Sequence, residues 1–279
     1  MRRQTAYSYP GAELKKHWDA LHAGDREPYP TAARITKLAK GEATLERSVA
    51  RHGGAASVAA ALEEAWRAFH AGDFLRAMET GREQEALGVA VANKAAAIHT
   101  LYLEKNDRKR LEILRAAVKY GESAVELLPD YANAHYTLAL ALGRYSQKIS
   151  ILEALAAGYG GKIRTHLERT LALEPKHAEA HVALGLYHAE LVSTLGSLAA
   201  RMTYGASERA ALEHFKRAIA LAPGSAIAHV EYARGLLLLD ADAHREQVEE
   251  LCSLAASCKP LDMVEQLDID RAKHHCTRV

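Results

Sequence analysis

Helix breakers are scarce in this chain. It has 7 prolines and 18 glycines in 279 residues, and β-branched runs are few. Alanine and leucine dominate instead, which favours helix along most of the length. Charge of one sign is also missing. The formal net charge is +1, so nothing calls for a polyanionic partner such as nucleic acid. A mild basic excess in the first 56 residues fits a solvated helix face. Long apolar runs are absent too. The longest strongly apolar one, residues 235–239, falls far short of the ~20 residues that a transmembrane segment needs. The first ten residues lack the apolar stretch of a secretory leader. Cysteines number three (Cys252, Cys258 and Cys276), an odd count not spaced as a metal knuckle. Reduced thiols in a cytoplasmic protein are therefore expected.

What the chain does have is a repeated phrase. The copies are Pro129-Asp-Tyr-Ala-Asn-Ala-His135, Pro175-Lys-His-Ala-Glu-Ala-His181 and Pro223-Gly-Ser-Ala-Ile-Ala-His229, at steps of 46 and 48 residues. A period of this size marks a helical solenoid, in which each unit buries its apolar face only against its neighbours. The expected organisation is an N-terminal helical arm over residues 1–54, a repeat array over 55–258 and a capping helix with tail over 259–279. Thr31 is expected to cap a helix running to about Arg51, and Ser57 the helix after Gly53-Gly54. Apolar residues at Leu138, Leu142, Tyr145, Ile149, Leu152 and Ala156 step by three or four, as do Leu184, Tyr187, Leu191, Leu195, Leu198 and Met202. Each stripe predicts one long helix, over residues 131–157 and 178–203. Glycines at 160–161 and 205 should end them.

Residues 178–223 resemble a tetratricopeptide repeat. Ala180, Leu184, Gly185 and Tyr187 take the first-helix slots, and Ala211, Phe215, Ala218 and Pro223 those of the second. His135, His181 and His229 stand where that repeat usually has tryptophan. The period runs roughly 12 to 14 residues beyond the usual ~34. The fold class is thus all-α, a tetratricopeptide-like helical-hairpin solenoid with elongated helices. The lengthening, with Tyr187-His-Ala-Glu-Leu-Val-Ser-Thr-Leu-Gly-Ser-Leu-Ala-Ala-Arg201 and Ala210-Ala-Leu-Glu-His-Phe-Lys-Arg-Ala218, is similar to the tetratricopeptide domain of the regulator of microtubule dynamics family over roughly residues 57–257. That resemblance implies a helical adaptor, and a mitochondrial tethering member binds and transfers phospholipid through this domain. A bacterial lipoprotein associated with tripartite transporters is similar as well. The anchor of the tethering members is not seen in this sequence.

Repeat spacing assigns inward positions on the first helix of each unit. They are Asn133, Tyr136, Leu140 and Arg144, then Glu179, Val182, Leu186 and Ala189, then Ile227, Val230, Arg234 and Leu237. Most are apolar, and with Asn133 alone and no lysine the set is not that of a peptide-carboxylate clamp. The set suits an amphipathic protein segment, or a phospholipid or fatty acyl chain, with Arg144 and Arg234 steering a negative group. The same residues can equally be ordinary core, covered by the chain itself. No nucleophile elbow or Cys–His signature occurs. Gly158-Tyr-Gly-Gly-Lys162 fails as a phosphate loop, because Ala156 and Ile163 stand at required positions. Arg108-Lys109-Arg110 is too short for a nucleic-acid stripe. The expected function is a non-catalytic binding scaffold without cofactor. The rival is a helical metalloenzyme using His177 and His181, spaced i, i+4, with His188 further along.

Overall fold

The computed structural model describes residues 7–276, which carry sixteen α-helices, one 3₁₀ turn and no strand. They form two compact units. One runs to Trp18 and resumes over Glu27–Leu173; the other takes Asp19–Arg26 and the chain from Glu174 onward. Helix α1 (Glu13–Leu21) crosses the first division. The first unit then holds α2 (Ala32–Ala39), α3 (Ala43–Arg51), α4 (Ala55–His70), α5 (Phe74–Glu83), the 3₁₀ turn Glu85–Gly88, α6 (Val89–Tyr102), α7 (Asp107–Leu127), α8 (Ala132–Ser146), α9 (Ile151–Ala156) and α10 (Tyr159–Leu173). The second holds α11 (Ala178–Leu195), α12 (Ser197–Tyr204), α13 (Glu208–Leu221), α14 (Ala226–Asp240), α15 (Arg245–Ser257) and α16 (Met263–Cys276).

Short polar side chains start these helices. Thr31, Asp73, Asn106, Ser207 and Ser225 each accept the backbone N–H three residues on. Each such cap stabilises by typically about 1 kcal/mol, because it satisfies a donor the helix leaves open. Ser57 is not a cap: α4 opens at Ala55, and the Ser57 hydroxyl donates to the Gly53 carbonyl. The helix expected over 31–51 divides into α2 and α3.

The two long helices are each divided as well. The first becomes α8 and α9, of 15 and 6 residues. Ser150 ends the continuity by capping α9, its hydroxyl accepting from Glu153 N at 3.1 Å. The second becomes α11 and α12, of 18 and 8 residues, joined at Gly196 with φ +78°. Only glycine takes that φ without strain. Gly160-Gly161 do not end a helix either; they lie in the first turn of α10. The apolar stripe survives these breaks, which is why its period alone does not reveal them.

The helices pack in hairpin pairs, with the short α9 and α12 lying between partners in the chain: α4 with α5, α6 with α7 and α8 with α10 in the first unit, α11 with α13 and α14 with α15 in the second. In the second unit the pairs meet around Phe215 of α13, whose ring is fully buried and stacks on Tyr232 at 4.9 Å. The ring fits because two helices present bare backbone to it. A Cβ on Gly185 of α11 would stand 2.7 Å from the Phe215 ring, and one on Gly235 of α14 would also collide with it. Cys252 of α15 is disulfide-bonded, so the expectation of three reduced thiols does not hold; Cys258 is a free thiol.

The Gly235–Phe215 contact makes a direct prediction. Gly235→Ala should destabilise by about 1–3 kcal/mol through overpacking. Phe215→Leu, costly alone, should then cost less in the Gly235→Ala background, a coupling that chemical denaturation of the four proteins would measure. Additive effects would contradict the contact.

Candidate functional site

The polar centre of the first unit is built on a stretch without regular structure, residues 26–31. Pro28 and Pro30 keep it out of helix by removing backbone donors and restricting the residues before them. This stretch delivers Glu27 into the interior, with a side chain only 4% exposed. Its carboxylate accepts from the Tyr131 hydroxyl at 2.8 and 2.7 Å and from Asn133 Nδ2 at 2.7 Å. The Arg34 guanidinium lies over the Tyr131 ring at 4.9 Å and 3.6 Å from the carboxylate. Burial, and then the negative Glu27, push the Tyr131 phenol well above its usual range, so it keeps the proton it donates.

An aromatic group fastens the same segment. The Trp18 indole N–H donates to the Glu27 carbonyl at 2.6 Å. Its ring meets Tyr29 at 4.9 Å and Trp66 of α4 at 6.0 Å, both edge-to-face. Ile35 of α2 is buried, and α2 packs on α4. Between this strap and the helices lies a narrow cavity lined by Glu27, Ile35, Trp66, Val91 and Tyr131 among others, with about 290 Å³ of empty space, its open mouth included. Residues 27–38 thus lie against α4 and the starts of α6 and α8.

Among the residues assigned to an inner face, Asn133 is engaged by Glu27. Tyr131, which repeat spacing did not count, meets the same carboxylate. Tyr136 is buried, and Leu140 and Arg144 are half-buried on α8. In the second unit, the Glu179 N–H donates to the Gly24 carbonyl at 3.0 Å, satisfying an open donor in the first turn of α11. The Glu179 side chain covers Gly24, where a Cβ would stand 2.9 Å from Oε1. Val182 and Leu186 pack with Ala218, Ala228 and Ile219. Val230 packs with Ala255 and Ala272, beneath α16. Arg234 pairs with Glu190 and, at 3.1 Å, with Glu231, whose other oxygen holds Arg271 at 2.9 Å. Its charge is already met by carboxylates. Leu237 is 40% exposed. Glu27, Tyr131, Trp18 and Arg34 escaped the sequence reading; the Glu27-Pro28-Tyr29-Pro30 stretch was the visible signal of a non-helical insertion.

His177 and His181 each bond within the chain. The His177 Nδ1 accepts from Ala180 N at 3.0 Å as the N-cap of α11. His181 pairs with His214 at 2.9 Å, ring nitrogen to ring nitrogen. Among the described residues, no three of His, Cys, Asp and Glu converge as a metal site.

The family model described as Regulator of microtubule dynamics protein 1-3 matches residues 62–258. The chain belongs to this family. Its fold is similar to that of a solved thermophilic tetratricopeptide-repeat protein from Thermus thermophilus, with a TM-score of 0.55 and 15% identity over 78% of this chain and 99% of that one. This likeness shows the fold alone: an all-α, tetratricopeptide-type array. No curated protein matches the chain at comparable stringency.

In this member of the family the tryptophan slot of the repeat holds a histidine that bonds within its own unit. His135 Nε2 lies 3.0 Å from the Pro129 carbonyl and therefore carries the proton. Its Nδ1 then accepts from His166 Nδ1 at 3.0 Å. Protonating the pair would set two N–H groups face to face. Burial pushes His135 below its ordinary range. For His166, burial and then the His135 charge act in the same direction. His181 is driven down to about 4 by burial, with His214 and Arg217 adding to it. Below its ordinary value near 6.5 the unfolded chain binds these protons first, so the contribution to stability is present above pH ~6.5 and lost as pH falls toward ~4. Thermal unfolding across that window should therefore show a steep loss for wild type and a shallower one for His181→Phe. Equal slopes would exclude His181 as a contributor.

Proposed function

We propose that this chain is a non-catalytic scaffold that binds a short segment of a partner protein on the first-helix face of its repeats. The observation that carries this reading is that the face is already so used. Residues 27–38 of the chain's own arm lie against α4 and α6 and reach Tyr131 and Asn133 at the start of α8. They dock with a buried carboxylate, aromatic rings and an apolar residue on the short helix that follows, the features by which grooves take peptides. The family membership and the tetratricopeptide fold support a binding role in the same sense.

A phospholipid or acyl chain is the competing ligand. Only about 10 Å³ of the cavity beneath the strap would admit the centre of a water-sized sphere, room for about one water and not for an acyl chain. A lipid would have to displace the arm. No helix among the described residues is long and apolar enough to cross a membrane. The cysteines no longer imply a reducing compartment, since Cys252 is disulfide-bonded.

Native mass spectrometry of the full chain purified from cells, paired with a screen against a synthetic peptide array, separates the two. The scaffold reading expects a spectrum free of phospholipid and retention of a subset of peptides. Stoichiometric phospholipid together with a blank array would overturn it.

A further inference from the structure

Resting on that reading, we infer that the Glu27 strap is a built-in occupant of the partner site, and that the partner supplies a carboxylate to the same Tyr131–Asn133 cradle by displacing it. Three observations lead there. First, the bonds that hold Glu27 come from side chains, not from a backbone ladder: the Tyr131 hydroxyl, shared between the two carboxylate oxygens, the Asn133 amide, and the Trp18 indole at the carbonyl. A segment bound this way can be replaced by any chain that presents an acid at the same place. Second, a buried ion is a poor choice for a permanent fastener, because apolar residues of similar volume often hold as well or better. A charged anchor that needs a matched cradle gives selectivity and release. Third, the arginine that pairs with the carboxylate, Arg34 at 3.6 Å, is carried by the strap itself, and the cavity beneath the strap adjoins Glu27, Trp66 and Tyr131.

The cradle's own chemistry sets the partner class. Tyr131 and Asn133 both offer hydrogen-bond donors, and their surroundings, Trp66, Ala90 and Val91, are apolar. Arg34 belongs to the strap and leaves with it. The fitting partner is therefore an acidic peptide with proline or an aromatic next to the acid and an aliphatic residue early in a following helix, the pattern Glu27-Pro28-Tyr29-Pro30 with Ile35. Its competitor is tethered, with an effective concentration of about millimolar. A partner must exceed that, or the strap must first be loosened.

The test uses the full chain and a synthetic peptide of residues 24–39. Glu27→Ala should speed hydrogen exchange of residues 27–39 at least tenfold while α13–α15 stay protected. The peptide should bind this variant at least tenfold more tightly than wild type, and a peptide with glutamine for the glutamate should lose most of that gain. Adding Tyr131→Phe and Asn133→Leu should abolish the preference for glutamate. Should Glu27→Ala fail to fold, wild type is used: excess peptide, but not the glutamine form, should accelerate exchange over residues 27–39. An unchanged strap in both proteins, or equal binding of both peptides, overturns the inference. If array peptides still bind while the strap never exchanges, only the inference falls. If no peptide binds any form, the scaffold reading falls with it.

Discussion

A carboxylate taken out of water must be met by donors, and Glu27 imposes that demand on the first unit. The cost of leaving such an ion unpaired is several kcal/mol. The fold answers with Tyr131 and Asn133 from the start of α8, and with Trp18 fixing the backbone of the same residue. Because those donors come from residues more than a hundred positions away, the bond orders the strap only once α8 is in place. Residues 27–39 are consequently part of the first unit's interior.

The second unit answers a different constraint with the same economy of means. Phe215 needs two helices to approach closely, and Gly185 and Gly235 permit it. The buried Glu231 is met by Arg234 and Arg271. Among the positions that repeat spacing points inward, Asn133, Val182, Leu186, Val230 and Arg234 meet the protein's own residues, while Leu237 stays exposed.

Much of the fold was legible because its signals are local. Thr31 marks a helix start at the expected residue, and Gly205 stops α12 in a left-handed conformation. The breaks at Ser150 and Gly196 were hidden because residues on either side keep the helical stripe. The candidate site was harder. Glu231 stands three residues before Arg234 and could be read as its partner, but Glu190, 44 residues away, could not. Val230 reads as a groove residue until Ala272 is seen against it. Periodicity gives the facing of a residue on its helix; it says nothing about which distant segment covers that face.

The chain has only two tryptophans, and the structure sets them against each other, Trp18 on α1 and Trp66 on α4, 6.0 Å apart. All of its indole emission therefore originates at the seam between the arm and the repeats. Intrinsic fluorescence becomes a label-free gauge of whether that seam is closed, silent to events elsewhere in the molecule.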